Sequence, residues 1–421
     1  MTRKALGSTV VLAAALVTLL AGCGGPAIGE SPDNGPVDKA GVTIGPGITP
    51  TTIRLGVLTD LSGPYGPLGR SVLQAERLYV NDVNASGGVC GRKLQLIVRD
   101  HGYNLDKATM QYSRMEPSIA AMPGLLGSTI INSLLGTLGA DELMTVALGY
   151  SSALLGQPGL QTISATYDVD MINGLDWAAS TYGLKRKDKI GYLYLKGDYG
   201  ENAMRGAEFV AEEKGLRVVS REVPAGRDDV SAQVHDLAAA GVKAVLVSAS
   251  PEQTASAVGS AAAQGLMVPF LASAAGFHPE MLKSPAAPAV LSMLHLVAPT
   301  PSLTDHAPEV GKLVADYQKH YPGQPLDQGV ENGHNTMAIA VQDLKEACAN
   351  KDLSRAGIIA AHRKMNRFDP GVGPALNFSD PWRPSATVSY ILKPQKDVPG
   401  GLVNVKGPFK VSAVERYLVF I

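Results

Sequence analysis

The sequence predicts an α/β protein made of two doubly wound parallel-sheet lobes joined by a hinge of several chain crossings. Three observations carry this. From Thr52 onward, short β-branched runs alternate with longer helical patterns, the order expected of parallel sheets with helices on both faces. The alternation comes as two separate series, one opening at Ile53 and one at Lys189. With 421 residues, 45% hydrophobic and 18% charged, the chain is long enough for about two or three domain-sized units.

The first 22 residues have the order of an export signal: Arg3 and Lys4, a largely apolar run over 10–20, then Ala21 and Gly22 before Cys23. Leu20-Ala21-Gly22-Cys23 resembles the lipobox of bacterial lipoproteins, which implies that Cys23 becomes the acylated first residue of the mature chain. Residues 23–50 turn to Gly, Pro, Ser and Asp without apolar periodicity, the composition of a flexible tether. No later stretch reaches the roughly 18 consecutive apolar residues of a spanning helix. The mature protein is therefore expected to sit on a membrane through its lipid, without crossing it.

The first βα unit is the strand Ile53-Arg54-Leu55-Gly56-Val57-Leu58, a Gly/Pro turn, a helix over 68–84 and a strand over 93–99, with further strands near 124–126 and 144–148. The second series places strands at 189–195, 216–221, 244–247 and 269–271, separated by helices at 201–214, 230–240 and 252–264. After Pro299 come helical patterns around 308–320, 333–348 and 353–365, then a β-rich tail over 387–392 and 417–421. The tail adds strands without a third full series, so it should complete the lobes already begun. The expected division is 51–167 with 300–383 for one lobe and 168–299 with 384–421 for the other, with crossings near 164–170, 298–304 and 380–386.

The 37 basic and 38 acidic residues are spread along the chain, for a formal charge of −1; removal of Arg3 and Lys4 leaves 35 against 38, or −3. Nothing supplies the concentrated positive field of a nucleic-acid-binding protein. Once Cys23 is assigned to lipid, Cys90 and Cys348 remain. In an oxidising compartment they are expected to form a disulfide, the alternative being two separate buried thiols. The eight histidines are scattered, with no HExxH pair, so neither metal nor cofactor is expected.

In open parallel sheets, ligands bind where strand carboxyl ends meet helix amino termini. The segments to inspect in the first lobe are Ser62-Gly63-Pro64-Tyr65, Gly127-Ser128-Thr129 and Gly149-Tyr150-Ser151-Ser152. In the second they are Lys196-Gly197-Asp198-Tyr199, Ser248-Ala249-Ser250 and Ala272-Ser273-Ala274. Taken singly, each is ordinary turn chemistry. Recurring at equivalent places in both halves, they describe two facing rims that close on a small molecule.

The stretch from Ile53 to Tyr65, with Asn81-Asp82-Val83-Asn84-Ala85-Ser86-Gly87-Gly88-Val89-Cys90-Gly91-Arg92-Lys93-Leu94, resembles the opening of the branched-chain amino-acid-binding family of type I periplasmic binding proteins. Asp198-Tyr199-Gly200 and residues 373–378 are also similar, and the resemblance covers residue 51 to the C-terminus. It implies a monomeric, two-lobed protein with three crossovers, serving the permease and ATPase of an ABC importer. Ser128 or Thr129 then corresponds to the serine that contacts a ligand carboxylate, and Gly149 and Ser151 to a backbone contact and a hydroxyl contact beside Tyr150. Tyr65 and Tyr199 match flanking aromatics, while Ala249 and Ser250 fall at a further contact. Amino-acid binders of this family carry an acid after the strand over 269–271, to neutralise the ligand ammonium. Here that stretch reads Ala272-Ser273-Ala274-Ala275-Gly276. Because an ammonium buried without a counter-charge is costly, the expected ligand is not a standard α-amino acid unless Asp198 or Glu252 substitutes; a neutral molecule or an amine-free carboxylate fits better.

Two enzyme readings are weaker. Gly149-Tyr150-Ser151-Ser152-Ala153 approaches a nucleophile elbow, but Gly156-Gln157-Pro158-Gly159 interrupts the helix that should follow. Gly63, Gly66 and Gly69 are not spaced as GxGxxG, and Pro64 and Pro67 remove donors a pyrophosphate would use. No catalytic residue is expected. A lipid-anchored receptor that reports its ligand to a membrane sensor would share the fold and differ only in its partner.

Overall fold

The computed structural model describes residues 35–224 and 226–419. The export signal, Cys23 and the first part of the tether lie outside the described residues. In chain order the first half comprises β1 (Thr43–Ile44), β2 (Thr52–Thr59), α1 (Gly66–Ala85), β3 (Lys93–Asp100), α2 (Leu105–Met115), β4 (Ala121–Leu126), α3 (Ser128–Ala140), β5 (Thr145–Leu148) and β6 (Leu160–Thr162). Strands β2 to β6 form a wholly parallel sheet in the order β3-β2-β4-β5-β6. The alternation in β2 accounts for its two-sided burial. Ile53 and Leu55 enter one apolar cluster, Leu58 enters another with α2 and α3, and all three are fully buried. Each such side chain contributes about 1.5–3 kcal/mol relative to exposure.

The second half opens with α4 (Tyr167–Thr181) and runs through β7 (Lys189–Leu195), α5 (Asp198–Lys214), β8 (Arg217–Val223), α6 (Ser231–Ala240), β9 (Ala244–Ser248), α7 (Pro251–Ala263), β10 (Phe270–Ser273), α8 (Ala287–Met293) and β11 (Leu294–Ala298). Next come α9 (Pro308–His320), α10 (Gln328–Ala349), β12 (Asp352–Leu353) and α11 (Arg355–Lys364), of which α10 and α11 pack into the cluster that holds Ile53. The chain ends with β13 (Ser389–Pro394), β14 (Leu402–Phe409) and α12 (Ser412–Tyr417). The second sheet has the order β14-β13-β11-β10-β9-β7-β8, parallel from β8 to β11, with β13 and β14 antiparallel at one edge. The chain thus passes between the sheets after β6, after β11 and before β13. The bodies built on the five-stranded and seven-stranded sheets are called the first and second lobes below.

Helices α1 and α10 lie against each other where their first turns face the second lobe. Their approach depends on Gly333, since a Cβ there would lie 2.2 Å from the Val72 carbonyl oxygen. This contact sets one wall of the interlobe gap.

The structure corrects two expectations. Residues 35–50 are not a free tether, because β1 pairs with β12, Val42 and Ile48 are buried in the first lobe's core, and Arg92 donates to the Thr49 carbonyl at 2.8 Å and forms an ion pair with Asp38. Their apolar residues have no repeat, and they gain burial singly. At the other end, 417–419 is not a strand: Ala413, Val414 and Tyr417 are buried at helical spacing in and beyond α12. The extra strand is β14, whose exposed run Asn404-Val405-Lys406, with its lysine, suits an edge. Cys90 and Cys348 are joined, with Cα atoms 6.2 Å apart, tying the turn before β3 to the end of α10.

Candidate functional site

In each sheet the strand order reverses at one place, between β2 and β4 in the first and between β7 and β9 in the second. In open α/β sheets ligands bind at such switch points, beyond the strand carboxyl ends. Between the lobes the structure has a cavity of about 50 Å³, lined by Leu126 at the end of β4 and Tyr150 after β5, and by Ser273 at the end of β10, Ala274 and Ala275 after it and Pro299 after β11. Leu68 and Val72 of α1, Gln328 and Asn332 of α10, Leu148, and Tyr167 and Asp170 of α4 complete it. A smaller chamber of about 20 Å³ adjoins it at Leu68, Ala274, Ala275 and Gln328 and reaches Tyr65, Glu252 and His278.

Of the residues expected from sequence, Tyr150 and Ala274 line the main cavity and Tyr65 the smaller one. Tyr65 is placed by Asp60, whose carboxylate accepts from the amides of Ser62, Gly63 and Tyr65 at 3.2, 2.6 and 2.9 Å. Ser128 and Tyr199 reach the cavity through Tyr167: the Ser128 hydroxyl donates to the Tyr167 oxygen at 3.2 Å, and the Tyr199 ring lies 4.8 Å from that of Tyr167. Thr129 meets the second lobe at Gly197, where a Cβ would lie 3.4 Å from the threonine hydroxyl. Gly149 packs on the start of α3, with its would-be Cβ 2.7 Å from the Ser128 hydroxyl. Ser151, Ala249 and Ser250 do not line the cavity. The Ser151 hydroxyl accepts from the Ala153 amide at 3.3 Å, and Ser250 caps α7. With a short turn after it and no base against it, Ser151 has none of the parts of a nucleophile.

Sequence reasoning missed Tyr167, Asp170, Gln328 and Asn332. The first two follow β6, a three-residue strand too short to be seen in the pattern. The others open α10, which was read as starting near residue 333. The acid of Asp170 just after a crossing was the available signal; the two amides on α10 had none.

The cavity is amphipathic. Leu68, Val72, Leu126, Leu148 and Pro299 give it an apolar wall, while Tyr150, Tyr167, Ser273, Gln328 and Asn332 bring polar groups. The Tyr150 hydroxyl donates to Asn332 at 3.3 Å, and hydroxyls run from Tyr192 through Ser248 to Ser273 at 2.8 and 2.9 Å. Burial holds Tyr65, Tyr150 and Tyr199 well above the ordinary phenol range, so all three remain proton donors. Burial likewise pushes the Asp170 carboxyl up to about 8, although the Ser389 hydroxyl opposes this by donating to its Oδ1 at 2.6 Å.

Several contacts join the lobes. The Asn202 amide of α5 donates to the Ser152 hydroxyl at 2.7 Å, and Ser152 donates to Asp168 at 2.6 Å. Asp168 also accepts from the Tyr417 hydroxyl at 2.9 Å and from Asn202 at 3.1 Å. His278 Nε2 of the second lobe faces Asp327 Oδ2 of the first at 3.3 Å. Among the described residues, no group of three His, Cys, Asp or Glu side chains is placed to hold a metal ion.

A family model described as "Periplasmic binding protein" matches residues 52–396. Among solved structures, a "fatty acid ABC transporter substrate-binding protein" from Thermomonospora curvata is 40% identical, with a TM-score of 0.90 over 91% of this chain and 99% of that one. A branched-chain amino-acid ABC transporter protein from Thermus thermophilus, solved with valine, is similar in fold, at 19% identity and TM-score 0.77 over 89% of this chain and 99% of that one. The "Leu/Ile/Val-binding protein homolog 7" of Brucella abortus is 28% identical over 208 residues, 46% of this chain. The chain spans about half the length of the curated relatives it matches, 51% in that case.

Proposed function

The chain belongs to the periplasmic binding protein family, in its branched-chain amino-acid-binding-like type I form, and on that premise we propose that it captures an apolar monocarboxylate of the fatty-acid class and delivers it to an ABC importer. It is a binding protein and not an enzyme. The observation that carries the ligand class is the interlobe cavity, which pairs an aliphatic wall with tyrosine hydroxyls and amides and is lined by Ser273, Ala274 and Ala275 from the stretch 272–276, where the resemblance to amino-acid binders would imply an acid. The 40% identity to the Thermomonospora protein, named for fatty acids, supports the same class.

In this reading the acyl chain lies along Leu68, Val72, Leu126 and Leu148, with its carboxylate toward Tyr150 and Tyr167. At about 50 Å³ the cavity is smaller than such a ligand, so the lobes must part about the three crossings and reclose on it. Ligand favours the closed state only through contacts the open state lacks, here those from Ser273, Ala274 and Pro299. The reading includes export, acylation at Cys23 and a monomeric protein whose lobes follow the residue ranges expected from sequence, with 35–50 added to the first lobe.

Thermal shift and calorimetry with octanoate, octanol, valine and leucine test the ligand class. Octanoate at about 100 times its dissociation constant should add about 2.7 kcal/mol of stability, with valine and leucine silent. Stabilisation by valine or leucine with octanoate silent would reject it.

A further inference from the structure

We propose that Asp170 is the group by which this cleft recognises a carboxylate ligand, the two acids sharing one proton across an O–H···O hydrogen bond. The inference rests on the ligand class proposed above. Asp170 sits in the first turn of α4, directly after a crossing, and is 5% exposed yet lines the interlobe cavity. Its Oδ1 is fixed by the Ser389 hydroxyl at 2.6 Å, which in turn accepts from the Asn173 amide at 2.9 Å. Oδ2 has no hydrogen-bond partner among the described residues.

The cavity has no cation. Its lining contains no Lys, Arg or His, and Asp170 is its only carboxyl group. A carboxylate placed in this cavity therefore finds no ion-pair partner; His278 lines only the adjoining chamber, where it faces Asp327. Two carboxylates sharing one site cannot both stay ionised; one keeps a proton, and the bond between them is short and charge-assisted. The surroundings favour retention of that proton. Asp168 lies on the same helix, Tyr150 and Tyr167 face Asp170 from the first lobe and the crossing, Glu331 on α10 stands beyond Tyr150, and β13 brings only Ser389. Burial holds Glu331, like Asp170, at about 8, so no neighbour draws the proton away. The same arrangement disfavours an amine, because a counter-ion for it would have to form by ionising a buried acid.

The sign of the pH effect follows. A bound carboxylate raises the proton affinity of Asp170, so binding takes up a proton wherever the free acid is ionised. Octanoate affinity should therefore fall as pH rises through about 8, by up to about tenfold per pH unit. The test is calorimetry of the purified chain with octanoate from about pH 6 to 9.5, in buffers of different ionisation enthalpy, for wild type and Asp170→Asn. Wild type should take up close to one proton per octanoate at the alkaline end. Asp170→Asn offers a fixed donor, so it should lose the pH slope and bind octanoate at least tenfold more tightly than wild type near pH 9.5. Circular dichroism checks that the variant is folded. A flat wild-type profile without proton uptake overturns the proposal, as does a folded Asp170→Asn variant with the wild-type slope. Binding of hexylamine by wild type that is abolished in the variant would make Asp170 a counter-ion and overturn it too. Failure of wild type to bind octanoate at any pH would remove the ligand class itself, and the shared proton with it.

Discussion

Breaking the Cys90–Cys348 bond should weaken the first lobe while leaving the second nearly unchanged. The cross-link joins residues 258 apart in sequence, from the turn before β3 to the last turn of α10, and both cysteines pack into the first lobe's core. The loop-entropy relation gives about 5 kcal/mol for a ring of that size. For a unit of about 200 residues, each kcal/mol corresponds to about 2–4 °C, so the first lobe should melt roughly 10–20 °C lower. Calorimetry of wild type with and without reductant, and of the Cys90→Ala/Cys348→Ala double variant, measures this. The expected outcome is a low-temperature transition splitting from a second that stays in place, with reductant having no effect on the double variant. If the melt stays unchanged once thiol titration shows both cysteines reduced, the reasoning is wrong. A parallel fall of both transitions would show instead that the lobes unfold as one unit.

Two further outcomes are expected. Gly127→Ala should cost about 1–3 kcal/mol and weaken ligand binding, because Gly127 has φ 102° and a Cβ there would lie 2.7 Å from the Tyr103 ring, pushing Ser128 and the start of α3 out of place; denaturant melts and octanoate titration check both effects. Glu76 lies between α1 and β4, fully buried, with neither carboxyl oxygen hydrogen-bonded, and burial raises it to about 8. The folded protein then holds a proton that the unfolded chain releases near pH 4.5, so stability falls as pH rises from about 4.5 to about 8. Glu76→Gln should remove up to about 1.4 kcal/mol per pH unit of that slope; identical pH–stability curves for the two proteins would contradict it.

What could be read from sequence depended on whether burial left a period. The opening β2–α1–β3 unit and the β7 series bury alternate or helically spaced residues, and their alternation was enough to give two parallel sheets. Where burial came from isolated contacts, the pattern was silent. Residues 35–50 look like a tether because Val42 and Ile48 stand alone among Gly and Pro, yet each fills a gap in the first lobe. Strand β14 was missed because it lies at the sheet edge, mostly exposed, and Gly407-Pro408 interrupts its pattern. The candidate site divided in the same way. Glycine and hydroxyl clusters mark strand ends, which found Tyr65, Tyr150 and Ala274. Whether a hydroxyl faces the gap or caps a turn is decided by local backbone geometry, which set Ser151 and Ser250 aside. Tyr167 and Asp170 enter only because a crossing brings the first turn of α4 to the gap, a tertiary fact with no local signature.

The position of Asp168 matters for anyone fitting this protein with a reporter. Its carboxylate gathers hydroxyl and amide protons from the first lobe, from α5 and from the C-terminal helix, so Tyr417 shares an acceptor with the residues that bridge the gap. A dye on α12 would sit far along the chain from the cavity lining yet beside these bridging contacts, where it would report any parting of the lobes.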